Sequence, residues 1–236
     1  LLLFSFEKKY FEKENISCEF VGHPLLQNKE RSKIDINQVI GKNKALISIF
    51  PGSRKSEIIT LMPILLDFIK LMNEKYSDMT YVFHSTIEYS KVIHSLVNDS
   101  KISNCEIISD DKIKSHILQK SIFAVAKSGT VSLEICNAKI PSVILYKMGF
   151  INFLIIRSLI KTKFANIINF AAQEEIIPEL LQSKCNSIDI FKYVSNFLED
   201  TNKIKNQVDK TQKILDKLKI NGSSSELASL SLNKFL

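Results

Sequence analysis

The chain has 236 residues, of which 45% are hydrophobic and 24% charged, and a formal net charge of +7. That length supports one large domain or two small ones with a core that needs no disulfides, and no uninterrupted apolar stretch is long enough to span a bilayer. Cys18, Cys105, Cys136 and Cys185 are far apart, with no C-x-x-C pair, which disfavours a zinc or redox site and suits a reducing compartment. The lysines are scattered rather than clustered, so the positive charge is read as compositional and not as a nucleic-acid footprint.

Residues 1–23 hold short apolar clusters that end at Gly22-His23-Pro24, a stiff turn suited to a hinge. Residues 24–44 are polar and predict a linker. Regular alternation follows. The run ALISIF at 45–50 predicts a buried strand ending at Pro51-Gly52. Leu61, Leu65, Phe68 and Met72 recur at helical spacing within a predicted helix 58–76, with Pro63 in its first turn or at a kink. Strands are predicted at 79–83, 106–108, 122–126 and 142–146, and helices at 88–97, 110–119 and 130–138. Beyond them the pattern reads as helix at roughly 150–160, 173–183, 187–199, 201–219 and 224–235.

Strands alternating with helices imply a parallel, doubly wound α/β sheet. In such sheets ligands bind outside the carboxyl ends of the strands, so the loops after Phe50, Phe83, Ile108, Ala126 and Tyr146 hold the candidate chemistry. Pro51-Gly52-Ser53-Arg54 is the first. Gly52 permits close backbone approach, Ser53 can cap the helix, and Arg54 offers a planar fork for phosphate or carboxylate. Glu57 stands where a capping box places it. The alternative is an ordinary capped turn.

Lys127-Ser128-Gly129-Thr130 repeats that logic, and Glu134 follows one helical turn later, where a carboxylate can accept two hydrogen bonds from a ribose diol. The alternative pairs Glu134 with Lys127 or leaves it solvated. His84 ends a strand on the ligand side and is a pocket candidate, whereas His94 and His116 fall on predicted surface helices. No histidine pair has metal-ligand spacing. The apolar helix 150–160, followed by Lys161 and Lys163, reads either as a membrane-facing element or as a buried helix at a domain junction.

In order along nearly the whole chain, these segments resemble the lipid-A-disaccharide synthases. Phe20-Val21-Gly22-His23-Pro24-Leu25 is similar to that family's entry into its C-terminal domain. Phe50-Pro51-Gly52-Ser53-Arg54, with Glu57 and Ile58, resembles its P-G-S-R-x-x-E loop. Ser128-Gly129-Thr130, continuing to Leu133-Glu134, resembles its S-G-T turn. Pro141, Tyr146 and Lys147 fit a strand of the family. Lys161-Thr162-Lys163-Phe164, Asn169 and the EIIPELLQ run 175–182 fit its K-T…N…E-L-L-Q stretch, and Phe6-Glu7 is similar to the segment closing its N-terminal domain. Ile168 stands where the family has Pro, Gln173 where it has Gly, and Ser5 where it has Pro.

The resemblance implies a GT-B glycosyltransferase that is inverting, metal-independent and free of cofactors. It would transfer 2,3-diacylglucosamine from UDP-2,3-diacylglucosamine to 2,3-diacylglucosamine 1-phosphate. The products would be the β-1,6 lipid A disaccharide 1-phosphate and UDP, formed at the cytoplasmic face of the inner membrane of a Gram-negative bacterium. It implies that residues 1–23 end an N-terminal domain carrying the catalytic base upstream of Leu1. Residues 45–200 would form the UDP-sugar-binding Rossmann-like domain, and 201–236 would be helices packing back on that N-terminal domain or a partner subunit. Gly52, Ser53, Arg54, Ser128, Gly129, Thr130, Glu134 and Asn169 would contact the UDP-sugar. A homodimer is expected, and nucleic acid is not. The alternatives are another GT-B enzyme, such as the lipid-linked N-acetylglucosaminyltransferase of peptidoglycan synthesis, or a non-catalytic UDP-binding remnant of a split gene.

Overall fold

The computed structural model describes residues 1–27, 45–149, 153 and 162–233. Six parallel strands form one sheet: β1 (Ala45–Phe50), β2 (Met79–His84), β3 (Cys105–Ile108), β4 (Ser121–Lys127), β5 (Ser142–Tyr146) and β6 (Glu179–Leu181). Their order is β3-β2-β1-β4-β5-β6. The chain therefore winds outward from β1 in one direction, returns, and continues from β4 in the other. The crevice at that reversal, between the carboxyl ends of β1 and β4, is where such a sheet offers a ligand site. Phe50 pairs with Ala126 there, so the loops after both strands leave the sheet side by side.

Helices cover both faces, which is why the central strands are continuous apolar runs rather than alternating ones. Four of the six residues in β1 are less than 5% exposed. On one face α2 (Lys55–Lys75), α3 (Ile87–Ser100) and α7 (Ser187–Leu198) enclose Phe68, Ile69, Met72, Tyr81, Phe123 and Val194. On the other, α4 (Asp111–Lys120), α5 (Val131–Asn137), α6 (Ile167–Ala172) and α8 (Thr201–Leu218) lie over the sheet. Helix α2 starts three residues before the expected point. Pro63 is thus its ninth residue, inside the helix and beyond the first turn.

The N-terminal segment packs on that second face. Phe4 and Leu26 join the cluster formed by α5, α6 and α8, and Leu2 pairs with Phe20 to close a loop around α1 (Lys8–Lys13). Gly22 has φ +77°, and a Cβ there would lie 2.6 Å from Ile220. Helix α9 (Ser224–Asn233) returns to the same segment: Gln27 donates to Ser224 Oγ at 2.8 Å, and Ser231 donates to Glu19.

The helix expected at 173–183 is not formed. The helix lies earlier, at α6, where Asn166 caps it by accepting from the amides of Ile168 and Asn169. Gln173, in the left-handed region at φ +54°, ends it. Pro178 cannot continue a helix from its own amide, and its carbonyl instead accepts from Ile144 N at 2.9 Å. Glu179–Leu181 then extends the sheet beside β5. Leu180 is buried against the core, and the open edge of β5 decides the local conformation over helix propensity. Helices α3 to α5 and α7 to α9 agree with the sequence reading, with Asn186 and Asp200 as side-chain caps of α7 and α8, whereas α1 has no counterpart in it. Of the predicted helix 150–160 only Phe153 is described, and residues 28–44 of the predicted linker lie outside the described residues.

Candidate functional site: a cleft at the carboxyl edge of the sheet

A cleft of about 340 Å³ opens above β1, β2 and β4. Two corners frame it, β1 to α2 and β4 to α5. Seven of the eight residues singled out from sequence line it: Gly52, Ser53, Arg54, Ser128, Gly129, Thr130 and Glu134.

The first corner needs its glycine. Gly52 has φ +119°, and a Cβ would meet the Glu57 carboxylate at 2.6 Å. Arg54, not Ser53, is the N-cap residue of α2, and no side chain caps that end. Glu57 reaches back instead, accepting from Ser53 N at 3.1 Å. Its other oxygen lies 2.8 Å from Lys127 Nζ and 3.5 Å from Arg54 Nη1. Burial raises the Glu57 carboxyl, but Lys127, the Ser53 amide and Arg54 together outweigh it and hold it below its ordinary value. Arg54 itself is mostly free, its side chain 78% exposed at the cleft mouth.

The second corner is held from below. Ser128 is buried, its amide donates to Leu145 O, and its hydroxyl donates to Ala165 O at 2.5 Å. Gly129 and Thr130 face outward. Lys127 ends β4 with its ammonium 5.6 Å from the centre of the Tyr146 ring. Glu134 pairs with Lys114 at 2.8 Å, and Lys114 also lies 3.6 Å from Asp111. The expected Lys127–Glu134 pairing is therefore replaced by two separate ones. Lys127 takes Glu57 from the neighbouring corner, and Glu134 takes Lys114 from α4.

Asn169 lies elsewhere. Its side chain is fully buried, donates to Ile177 O and Glu179 Oε1, and accepts from the amides of Ile176 and Ile177. All four hydrogen-bonding positions of the amide are filled by the chain itself. It fastens α6 to β6 and does not line the cleft.

His84 does line it. The ring is 6% exposed and stacks on Phe50, with centroids 4.2 Å apart and planes within 7°. Nε2 is 2.9 Å from Ser48 Oγ. Burial first, then the charge of Lys114, lowers its pKa to about 3, so it is neutral at pH 7. Lys114 escaped the sequence reading because nothing local marks it: its partner is twenty residues away, on another helix.

The cleft thus combines helix-start amides, three cations and three carboxylates above a parallel sheet. Amides and cations suit a phosphate or diphosphate, and a carboxylate one turn into α5 suits a diol. Among the described residues no three His, Cys, Asp or Glu side chains group to hold a metal ion, and no helix is long and apolar enough to cross a membrane.

Known proteins share the fold and the family. A protein 12% identical, seen in the S. aureus MnaA–UDP co-structure, shares the fold with a TM-score of 0.62 over 94% of this chain and 61% of that one. The C-terminal domain of a group 1 glycosyl transferase from Francisella tularensis, 16% identical, has a TM-score of 0.52 over 78% and 91% of the two chains. The lipid-A-disaccharide synthase of Rickettsia prowazekii is 35% identical over 219 residues, 92% of this chain and 57% of that protein. The chain thus spans little more than half the length of that relative. The family model for lipid-A-disaccharide synthetase matches residues 1–232. The chain belongs to the lipid-A-disaccharide synthetase family.

Proposed function

We propose that the cleft binds the UDP portion of UDP-2,3-diacylglucosamine, and that this chain is the donor-binding half of a lipid A glycosyltransferase. The acceptor is 2,3-diacylglucosamine 1-phosphate, and the products are the β-1,6 disaccharide 1-phosphate and UDP. The observation that carries the reading is the juxtaposition of the two corners at the switch point of the sheet, one bearing Arg54 and the other Lys127.

In this reading the acceptor 6-hydroxyl attacks the anomeric carbon, the bond to UDP breaks, and negative charge grows on the leaving diphosphate. Arg54, the amides around Ser53 and the Ser128-Gly129-Thr130 turn stabilise that charge, because they are already placed before it forms. Glu134 turns from Lys114 to the ribose diol. No residue of this chain is assigned as the base. That carboxylate is expected from the family's N-terminal domain. Residues 45–200 act as the UDP-sugar unit, and 201–236 pack back toward the N-terminal domain or a partner subunit; the contacts of α9 with Glu19 and Gln27 support the first of these.

We place the working enzyme at the cytoplasmic face of the inner membrane, as a homodimer. Tyr10 and Phe11 stand exposed on α1, which favours contact with the apolar boundary of a lipid surface. Titration calorimetry with UDP tests the core of the proposal. The wild-type chain is expected to bind, and Arg54→Ala to weaken binding at least tenfold, since a charge-assisted bidentate contact contributes roughly 1.5–3 kcal/mol. Equal affinity of the two would refute the assignment of Arg54.

A further inference from the structure

The polarity of one buried hydrogen-bond chain fixes the tautomer of His84. Ser121 Oγ donates to Ile117 O at 2.9 Å, which uses its single proton. The 2.8 Å contact between Ser121 and Ser48 must then be donated by Ser48. Ser48 Oγ has only lone pairs left for His84, so the 2.9 Å bond is donated by Nε2–H. The reverse polarity gives up the bond to Ile117 O and puts a proton on Nδ1. Nδ1 is buried and has no partner among the described residues. Reversal would therefore make one hydrogen bond fewer and bury an unsatisfied N–H.

Nδ1 is consequently a bare lone pair, itself screened from solvent, in a ring pinned by Phe50 on its face and Ser48 at its far nitrogen, in a residue that lines the cleft. Lys114, the neighbouring cation, is engaged with Glu134 and Asp111. A lone pair of this kind accepts and cannot donate. The diphosphate diester of a UDP-sugar carries no proton at neutral pH and offers only acceptor oxygens, so it has nothing to give Nδ1. The nucleoside half has donors: ribose hydroxyls and, in uridine, an imide N–H.

We propose that His84 is a specificity-determining residue of the nucleotide site, whose bare Nδ1 accepts a hydrogen bond from an O–H or N–H of the bound nucleoside. This rests on the UDP reading above and adds to it a group that discriminates among nucleotides. Together with Glu134 it adds acceptors to a cleft whose two corners also carry amides and cations.

The test uses the full chain labelled with 15N-histidine, together with calorimetry. In the free protein, long-range 1H–15N spectra are expected to show a protonated Nε2 and a bare Nδ1 for His84. Saturating UDP is expected to move the Nδ1 resonance, and inorganic pyrophosphate to leave it in place. CDP and 2′-deoxy-UDP then separate the imide N–H from the 2′-hydroxyl as the donor. His84→Gln keeps a donor toward Ser48 and removes the Nδ1 acceptor. It should weaken UDP about tenfold and leave pyrophosphate affinity unchanged, the loss expected for one hydrogen bond. A protonated Nδ1 in the free protein, or an Nδ1 that stays put while calorimetry registers UDP binding, overturns the inference alone. No heat with UDP for the wild-type chain overturns it together with the reading beneath it.

Discussion

Lys127 Nζ lies 2.8 Å from Glu57 Oε1, so an ion pair ties the end of β4 to the first turn of α2 across the floor of the cleft. Both side chains are shielded, at 21% and 14% exposure, so the pair is less screened than a surface one. It links the two corners that frame the cleft. The same carboxylate accepts from the Ser53 amide through its other oxygen.

Disrupting this pair should therefore loosen both corners. Lys127→Ala and Glu57→Ala are each expected to lower stability by roughly 1–3 kcal/mol, because each leaves a shielded charge without its partner. Urea unfolding of both single variants and the double variant gives the coupling directly. A value of about 1 kcal/mol is expected, and a coupling near zero would show that the two corners are held independently.

Gly52 allows no side chain. At φ +119°, with Glu57 2.6 Å from where a Cβ would stand, Gly52→Ala must either strain the backbone or push Glu57 off the Ser53 amide. A loss of roughly 1–3 kcal/mol is expected, together with weaker UDP binding. Wild-type unfolding and wild-type affinity in this variant would show that the corner is more pliant than its geometry implies.

Asn169 separates architecture from binding. Its amide makes four hydrogen bonds within the chain, so Asn169→Ala strands the amide of Ile177 and leaves that of Ile176 only its contact with Glu174 O. Destabilisation of roughly 2–4 kcal/mol is expected by denaturant titration. UDP affinity of the folded fraction should hold within about twofold. Selective loss of UDP binding without loss of stability would return Asn169 to the ligand site.

Acid should weaken the fold through His84. Its pKa falls from 6.5 to about 3 on burial, so between those values the unfolded chain takes up a proton that the folded chain refuses. Stability is then complete above about pH 6.5 and declines as pH falls toward 3, by at most ~1.4 kcal/mol per unit. Glu57, held below its ordinary 4.5, acts in the same direction but begins lower. Urea midpoints at pH 7, 6 and 5 follow this interval, in which His23, lowered chiefly by burial, acts in the same direction. His84→Gln should flatten the slope over that interval, and an unchanged slope would mean the ring is protonated in the folded state.

Much of this architecture is legible along the chain, because the central strands are buried on both faces and must be apolar throughout. The corners are legible for a related reason: glycine, small hydroxyl residues and a cation fall together in sequence where a strand gives way to a helix. The 167–181 region is not. Three strand residues, Glu179–Leu181, follow the edge that β5 presents rather than their own propensity, and Asn169 declares its role only once β6 is in place. The ion pairs are equally hidden. Lys114 meets Glu134, and Lys127 meets Glu57, only because the sheet order puts β1 next to β4.

The close fit of Gly22 against Ile220 has a practical corollary. With no room for even a methyl group between them, the two regions are packed closely at this point, and the Ser231–Glu19 and Ser224–Gln27 bonds join them further along. Loosening of the last helix should thus be felt at the opposite end of the polypeptide. Cys18, partly accessible and adjacent to Glu19, is a natural attachment point for a fluorescent reporter of that coupling.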